Sequence, residues 1–204
     1  MRRDDAMSDY FETFGLERRL GLDVAALQRR FYELSRQWHP DFHQAAPPAE
    51  QARALEASAR VNAAYRALRD PIARVEYLIR LEEGRETKEG AVVKPKAPPE
   101  LLAEMFEIQE ALEEARGGAL TDELRASLAA QRDALRARMA DAEAQVSGPL
   151  SAAWDAAAAG QRAAALAALK EALATRAYLK TVIDDLGAAL GEGTEETHVA
   201  NRRH

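Results

Sequence analysis

An all-α chain folded as two successive helical blocks is the architecture this sequence predicts. Three observations lead there. Apolar residues recur at helical spacing through both halves. Ala, Leu, Glu and Arg are abundant while aromatics make up only 6%. A stretch punctuated by proline and glycine divides the 204 residues near the middle. No segment reads as a strand, and no internal repeat is present.

The first block is expected to span residues 9–82. Asp9 can cap a short helix through Phe14, which Gly15 closes, and Asp23 is a suitable N-cap for the next helix. In that second helix Val24, Leu27, Phe31, Leu34 and Trp38 follow at steps of 3, 4, 3 and 4. Pro40 ends it, because the residue before a proline is pushed out of the helical region. A third helix is predicted from Pro48 to Leu68, with Ala54, Ser58, Val61, Tyr65 and Leu68 on one face. Asp70 then caps a fourth, with Pro71 at the first helical position, where its missing N–H costs nothing; Ile72, Val75, Leu78 and Ile79 follow.

Residues 83–99 contain Gly84, Gly90, Pro95, Pro98 and Pro99 and read as a linker. The second block, 100–190, begins with a stripe of Leu101, Met105, Ile108 and Leu112 that ends near Gly117-Gly118. Thr121 caps a helix bearing Leu124, Leu128, Leu135, Met139 and Val146, which Gly148-Pro149 is expected to stop. A short helical piece surrounds Trp154, Gly160 marks an expected kink, and a long helix carries Leu166, Leu169, Leu173, Leu179, Ile183, Leu186 and Leu190. Three main helices with short connections predict an antiparallel three-helix bundle. Residues 1–8 and 191–204 lack apolar periodicity and are expected to be disordered.

Composition narrows the function. The net charge of −6 argues against a general nucleic-acid binder. No apolar run approaches the roughly 18–20 residues needed to span a bilayer, and no apolar segment follows Arg2-Arg3 as it would in a secretory signal. A cytoplasmic protein without membrane partner is therefore expected. The chain has no cysteine, which removes disulfides, thiolate metal sites and cysteine nucleophiles.

The most informative motif is His39-Pro40-Asp41, set in the turn between the second and third helices. His39 and His43 stand four apart, but Pro40 breaks the helix that would align them, so no metal is expected. No nucleophile motif or Gly-rich phosphate loop accompanies the turn, so catalytic residues and cofactors are not expected either. Arg29 and Arg36 fall on the helix face away from Val24, Leu27 and Phe31. On periodicity alone that face is either simply solvated or built for an acidic partner.

Residues 27–41 (LQRRFYELSRQWHPD) and 61–78 (VNAAYRALRDPIARVEYL) resemble helix II, the loop and helices III–IV of a J domain. The resemblance implies a four-helix J domain that docks on a DnaK-type chaperone and triggers its ATP hydrolysis through His39, Pro40 and Asp41, with Arg29, Arg30 and Arg36 as the basic face. Phe42 stands where many J domains have lysine.

The opening DYFETFGL (9–16), the single helical block that follows and the total length resemble the HscB-type J-domain co-chaperones of iron–sulfur cluster assembly. That resemblance implies an L-shaped molecule whose C-terminal bundle binds an IscU-type scaffold and delivers it to a DnaK/HscA-type ATPase. On the first helix of the bundle, Leu101, Met105, Ile108 and Leu112 lie within about 60°, while Leu102 and Phe106 lie about 100–140° away and Ala103, Glu107, Glu110 and Glu114 lie further round. From periodicity, Leu102 and Phe106 either widen the core stripe or form a second face. The segment LLAEMFEIQEAL (101–112) is similar to the scaffold-binding helix of the family, which implies contacts from Leu102, Ala103, Phe106, Glu107, Glu110 and Glu114, joined by Tyr178 of the AYLK segment. Tyr178 falls off the stripe of Leu169, Leu173 and Ile183 and is expected to be exposed. Some members carry a CxxC zinc module, which a chain without cysteine lacks. Two other readings compete: a J-type co-chaperone for an unrelated client, and a helical interaction protein with no chaperone role.

Overall fold

The computed structural model describes residues 9–84, 102–118 and 120–192; the expectations for 1–8, for the linker beyond Gly84, for Leu101 and for the tail beyond Glu192 lie outside these. The described residues are helical, with no strand among them. In order they form α1 (Tyr10–Phe14), α2 (Val24–Gln37), a 3₁₀ turn (Pro40–His43), α3 (Pro48–Arg69), α4 (Pro71–Glu82), α5 (Leu102–Gly117), α6 (Asp122–Gln145), a π-helical turn (Val146–Leu150), α7 (Ser151–Ala156) and α8 (Arg162–Ala189). Two compact units result: Met1–Glu89 with Val146–Leu169, and Gly90–Gln145 with Lys170–His204.

In the first unit α3 packs against α1, α2 and α4. The caps are those the sequence predicts. Asp9 accepts the Glu12 N–H at 2.9 Å while Glu12 accepts the Asp9 N–H at 3.2 Å, a capping box, and Gly15 closes α1 in the left-handed region at φ 68°. Asp23 accepts the amides of Ala25 and Ala26, and Asp70 accepts that of Ala73. From α2, Leu27 and Leu34 enter the core, whereas Val24 stays 45% exposed at the first turn. Ala54, Val61, Ala64 and Leu68 line the buried side of α3. α4 buries Arg74, Val75, Tyr77, Leu78 and Ile79, more than one stripe, because it packs on α3 and also on the π turn.

That π turn corrects one expectation. Gly148-Pro149 does not stop α6; the chain continues through Val146–Leu150 with Pro149 inside and resumes as α7. Proline lacks the N–H that an α-helical hydrogen bond needs, and a local shift to π spacing absorbs the loss. The Ser151 hydroxyl donates to the Val146 carbonyl and satisfies it. Nor is Gly160 a kink: residues 157–161 separate α7 from α8 outright. Trp154 is buried in α7, with Arg162 over its ring at 5.4 Å.

Arg74 is 3% exposed, the most deeply buried charged residue among the described residues of this unit. Its Nε donates to the Leu68 carbonyl at 2.8 Å and its Nη1 to the Leu20 carbonyl. Burial lowers its pKa, and Asp70 and Asp155 oppose that shift. The Asp155 carboxylate accepts the Leu20 amide at 2.8 Å and the Gly21 amide at 2.7 Å. A side chain at Gly21 would press against Asp155 Oδ2 at 3.1 Å, so glycine permits the close approach.

In the second unit one core cluster joins Ile108 and Leu112 of α5, Leu128 and Leu135 of α6, and Leu179, Val182, Ile183 and Leu186 of α8, with Leu190 just beyond. The start of α6 meets the end of α8, where Arg125 donates to the Leu190 carbonyl and Arg132 pairs with Glu192. The end of α6 meets the middle of α8 through Arg176 and Glu143, 2.6 Å apart, so the two helices run antiparallel. A connection of four residues, 118–121, turns α5 into α6.

Arg74→Ala leaves the buried Leu68 carbonyl without its donor and the Leu20 carbonyl with the Leu22 amide alone, and is expected to cost about 2 kcal/mol, read as a lower urea midpoint at unchanged slope. Tyr77 supplies a pH dependence. Its hydroxyl accepts the Tyr10 N–H at 2.8 Å, and burial raises its pKa above the usual 10.0. The folded state then holds the proton more tightly than the unfolded one, so this contribution is complete below pH 10 and lost as pH rises through the raised value. Tyr77→Phe is expected to flatten that alkaline loss in chemical denaturation at a series of pH values.

Candidate functional site

Two exposed features, one in each unit, carry the residues singled out from sequence. The first is the His39-Pro40-Asp41 loop. α2 ends at Gln37, and His39 takes an extended backbone, φ −65° and ψ 125°, as a residue before proline must. The loop is a tight turn capped by its own histidine: His39 Nδ1 accepts the Asp41 amide at 3.3 Å. With Nδ1 accepting, a neutral ring carries its proton on Nε2. Asp41 Oδ1 accepts the Gln44 side-chain amide at 3.3 Å. Both the His39 and the Asp41 side chains face water, 53% and 69% exposed.

Neighbours hold this turn from both sides. His43 Nε2 lies 3.1 Å from the Gln37 carbonyl at the end of α2, and its Nδ1 lies 3.8 Å from Glu50 in the first turn of α3. Its ring stacks on Trp38, centroids 6.2 Å apart. Gln51 Nε2 donates to the Gln44 carbonyl at 3.0 Å and the Ala46 carbonyl at 2.8 Å. The exposed motif therefore rests on a clamped backbone.

Arg29, Arg30 and Arg36 are all exposed on α2. Arg30 is paired with Glu33 at 2.9 Å, and Arg29 and Arg36 have no carboxylate partner among the described residues. Arg36 lines a shallow open groove with Glu33, Gln37 and Phe42, which joins the helix face to the loop.

The second feature is α5. Ile108 and Leu112 are 1% exposed, while Phe106 is 76% exposed and Glu107, Glu110 and Glu114 also face water. Phe106 thus does not widen the core stripe; it stands on the outer side among acids. Leu102 and Ala103 lie in the first turn of α5, and their side chains fall outside the described residues. Tyr178 differs from expectation. It is half-buried, packs on the core cluster, and burial raises its pKa. The stripe of α8 includes Val182, one turn further on, which widens the apolar face as far as Tyr178.

Residues 9–77 match the DnaJ domain family model, and residues 97–186 match the model described as the HSCB C-terminal oligomerisation domain. The two modules stand in the order of the two exposed features. The chain belongs to the HscB family of J-domain co-chaperones. Among solved structures, the chaperone HscB from Vibrio cholerae is 26% identical, with a TM-score of 0.57, over 91% of this chain and 99% of that one. The human co-chaperone HscB is 25% identical, with a TM-score of 0.58, over 90% of this chain and 83% of its own. No helix among the described residues is long and apolar enough to cross a membrane.

Sequence reasoning missed the clamp in this HscB-family J domain. His43 drew notice only as a partner for His39, and Gln51 drew none, since polar residues in a helix's first turns usually face water. Gln51→Ala is expected to leave global stability within about 1 kcal/mol. The same change should raise amide hydrogen exchange across residues 39–46, as measured by mass spectrometry.

Proposed function

We propose that this chain couples an iron–sulfur cluster scaffold of the IscU type to a DnaK/HscA-type ATPase. The observation that carries the reading is the exposed Phe106 among Glu107, Glu110 and Glu114, on the side of α5 opposite the buried Ile108 and Leu112. A helix needs one apolar stripe to enter a bundle, and a solvent-facing phenylalanine outside that stripe contributes nothing to folding. It suits a partner with an apolar patch bordered by basic residues.

In this reading Leu102, Ala103, Phe106, Glu107, Glu110 and Glu114 meet the scaffold, joined by the half-buried Tyr178. His39, Pro40 and Asp41, with Arg29, Arg30 and Arg36, meet the ATPase and stimulate its hydrolysis. The preformed loop favours docking, because little backbone freedom remains to be lost. Carrying both surfaces on one polypeptide raises the effective concentration of scaffold beside the ATPase. The cluster stays ligated by the scaffold, and this chain performs no turnover of its own.

Calorimetric titration of an IscU-type scaffold into the full chain tests the reading. Micromolar or tighter binding is expected, weakened at least about tenfold by Phe106→Ser, a surface change that leaves the fold intact. His39→Gln is expected to abolish ATPase stimulation while scaffold affinity stays unchanged. Absence of scaffold binding by the parent chain would leave a J-type co-chaperone for a different client.

A further inference from the structure

Two large aromatic side chains stand in water, one directly after the His-Pro-Asp motif and one on α2, and the fold uses neither in its core: Phe42 is 70% exposed and Tyr32 61% exposed. Phe42 follows the motif directly. Its N–H donates to the His39 carbonyl at 3.0 Å, its ring meets the His39 ring edge-on at 5.9 Å, and it lines the groove with Glu33, Arg36 and Gln37. Tyr32 lies one turn before Arg36 on α2, and Arg29, Tyr32 and Arg36 fall within about 60° of one another around the helix. Arg29, Tyr32, Arg36 and Phe42 therefore form one strip that runs into His39.

We propose that this strip is a mixed aromatic–cationic docking face, with Phe42 as its apolar anchor and Tyr32 as a second, and that the ATPase partner meets it with an apolar depression rimmed by carboxylates. The inference rests on the J-type reading above and specifies what kind of partner surface that reading requires. Charge complementarity gives the rim: Arg29 and Arg36 have no carboxylate within the described part of this chain, whereas Arg30 is already neutralised by Glu33. The centre follows from continuity, because Phe42 follows Asp41 directly and its ring meets the ring of His39, so a partner that contacts the motif also meets Phe42. An exposed phenyl ring is unfavourable in water and favourable in a closed interface, where aromatic and arginine side chains supply most of the binding energy. Rim charges chiefly set the salt dependence of association, while a buried anchor sets how tightly the complex holds.

The test is stimulation of a DnaK-type ATPase by the full chain at several KCl concentrations, for the parent, Phe42→Ala, Arg29→Ala/Arg36→Ala and His39→Gln. Phe42→Ala is expected to raise the half-saturating concentration about tenfold at every salt concentration, leaving the salt slope as in the parent. Arg29→Ala/Arg36→Ala is expected to flatten that slope. A Phe42→Ala curve that superimposes on the parent's, with His39→Gln inactive, overturns the inference and leaves the J-type reading standing. A parent that does not stimulate overturns both. Sedimentation of the chain alone gives a separate check: a dimer that Phe42→Ala dissolves would assign the strip to a second copy of this chain and overturn the inference.

Discussion

The first unit depends on a guanidinium held away from water. Leu20 lies in the connection between α1 and α2 and is 4% exposed, so its backbone must find partners inside the protein. Arg74 supplies a donor for its carbonyl beside the Leu22 amide, and Asp155 supplies the acceptor for its amide. The same guanidinium binds the Leu68 carbonyl near the end of α3. One charged side chain thereby joins the entry to α2, the exit of α3 and the first turns of α4. Loss of an uncharged leucine at such a place would leave a cavity; loss of this arginine leaves the Leu68 carbonyl without its donor as well.

The geometry of the His-Pro-Asp loop follows from that frame. α2 and α3 are held on opposite sides of a connection only ten residues long, and both helices reach into it. Gln37 offers a carbonyl to His43, and Glu50 and Gln51 act from the first turns of α3. The motif residues project outward because their neighbours are tied inward. Stiffness in the backbone and exposure of the side chains are two results of one arrangement, and a surface of that kind loses little entropy when a partner covers it.

α5 shows the same division of labour on a single helix. Ile108 and Leu112 are committed to the core with Leu128, Leu135 and Leu186, while Phe106 and its acidic neighbours remain outside. A bundle of this size takes its stability from the inner stripe, roughly 1.5–3 kcal/mol for each fully buried leucine or isoleucine. The outer face is therefore free to be shaped by recognition. Tyr178 lies between these roles, packed on the core cluster yet only half-buried.

Much of this was legible from sequence because the forces concerned act within one turn of helix. Asp9, Asp23 and Asp70 cap the amides beside them, Gly15 takes the left-handed conformation that closes α1, and Pro40 excludes helix from His39. Spacing alone placed Leu27, Leu34, Val61, Leu68, Ile108 and Leu112 on buried faces. Tertiary structure decided what depends on a distant segment. The exposure of Phe106, left open by periodicity, was settled by which side of α5 the other helices cover. The half-burial of Tyr178 and the passage through Pro149 as a π turn were likewise set by packing. Arg74 finds Leu20 across 54 positions and Asp155 finds it across 135. A hydrogen bond at that separation leaves no local pattern, because neither partner's neighbours carry any sign of the other.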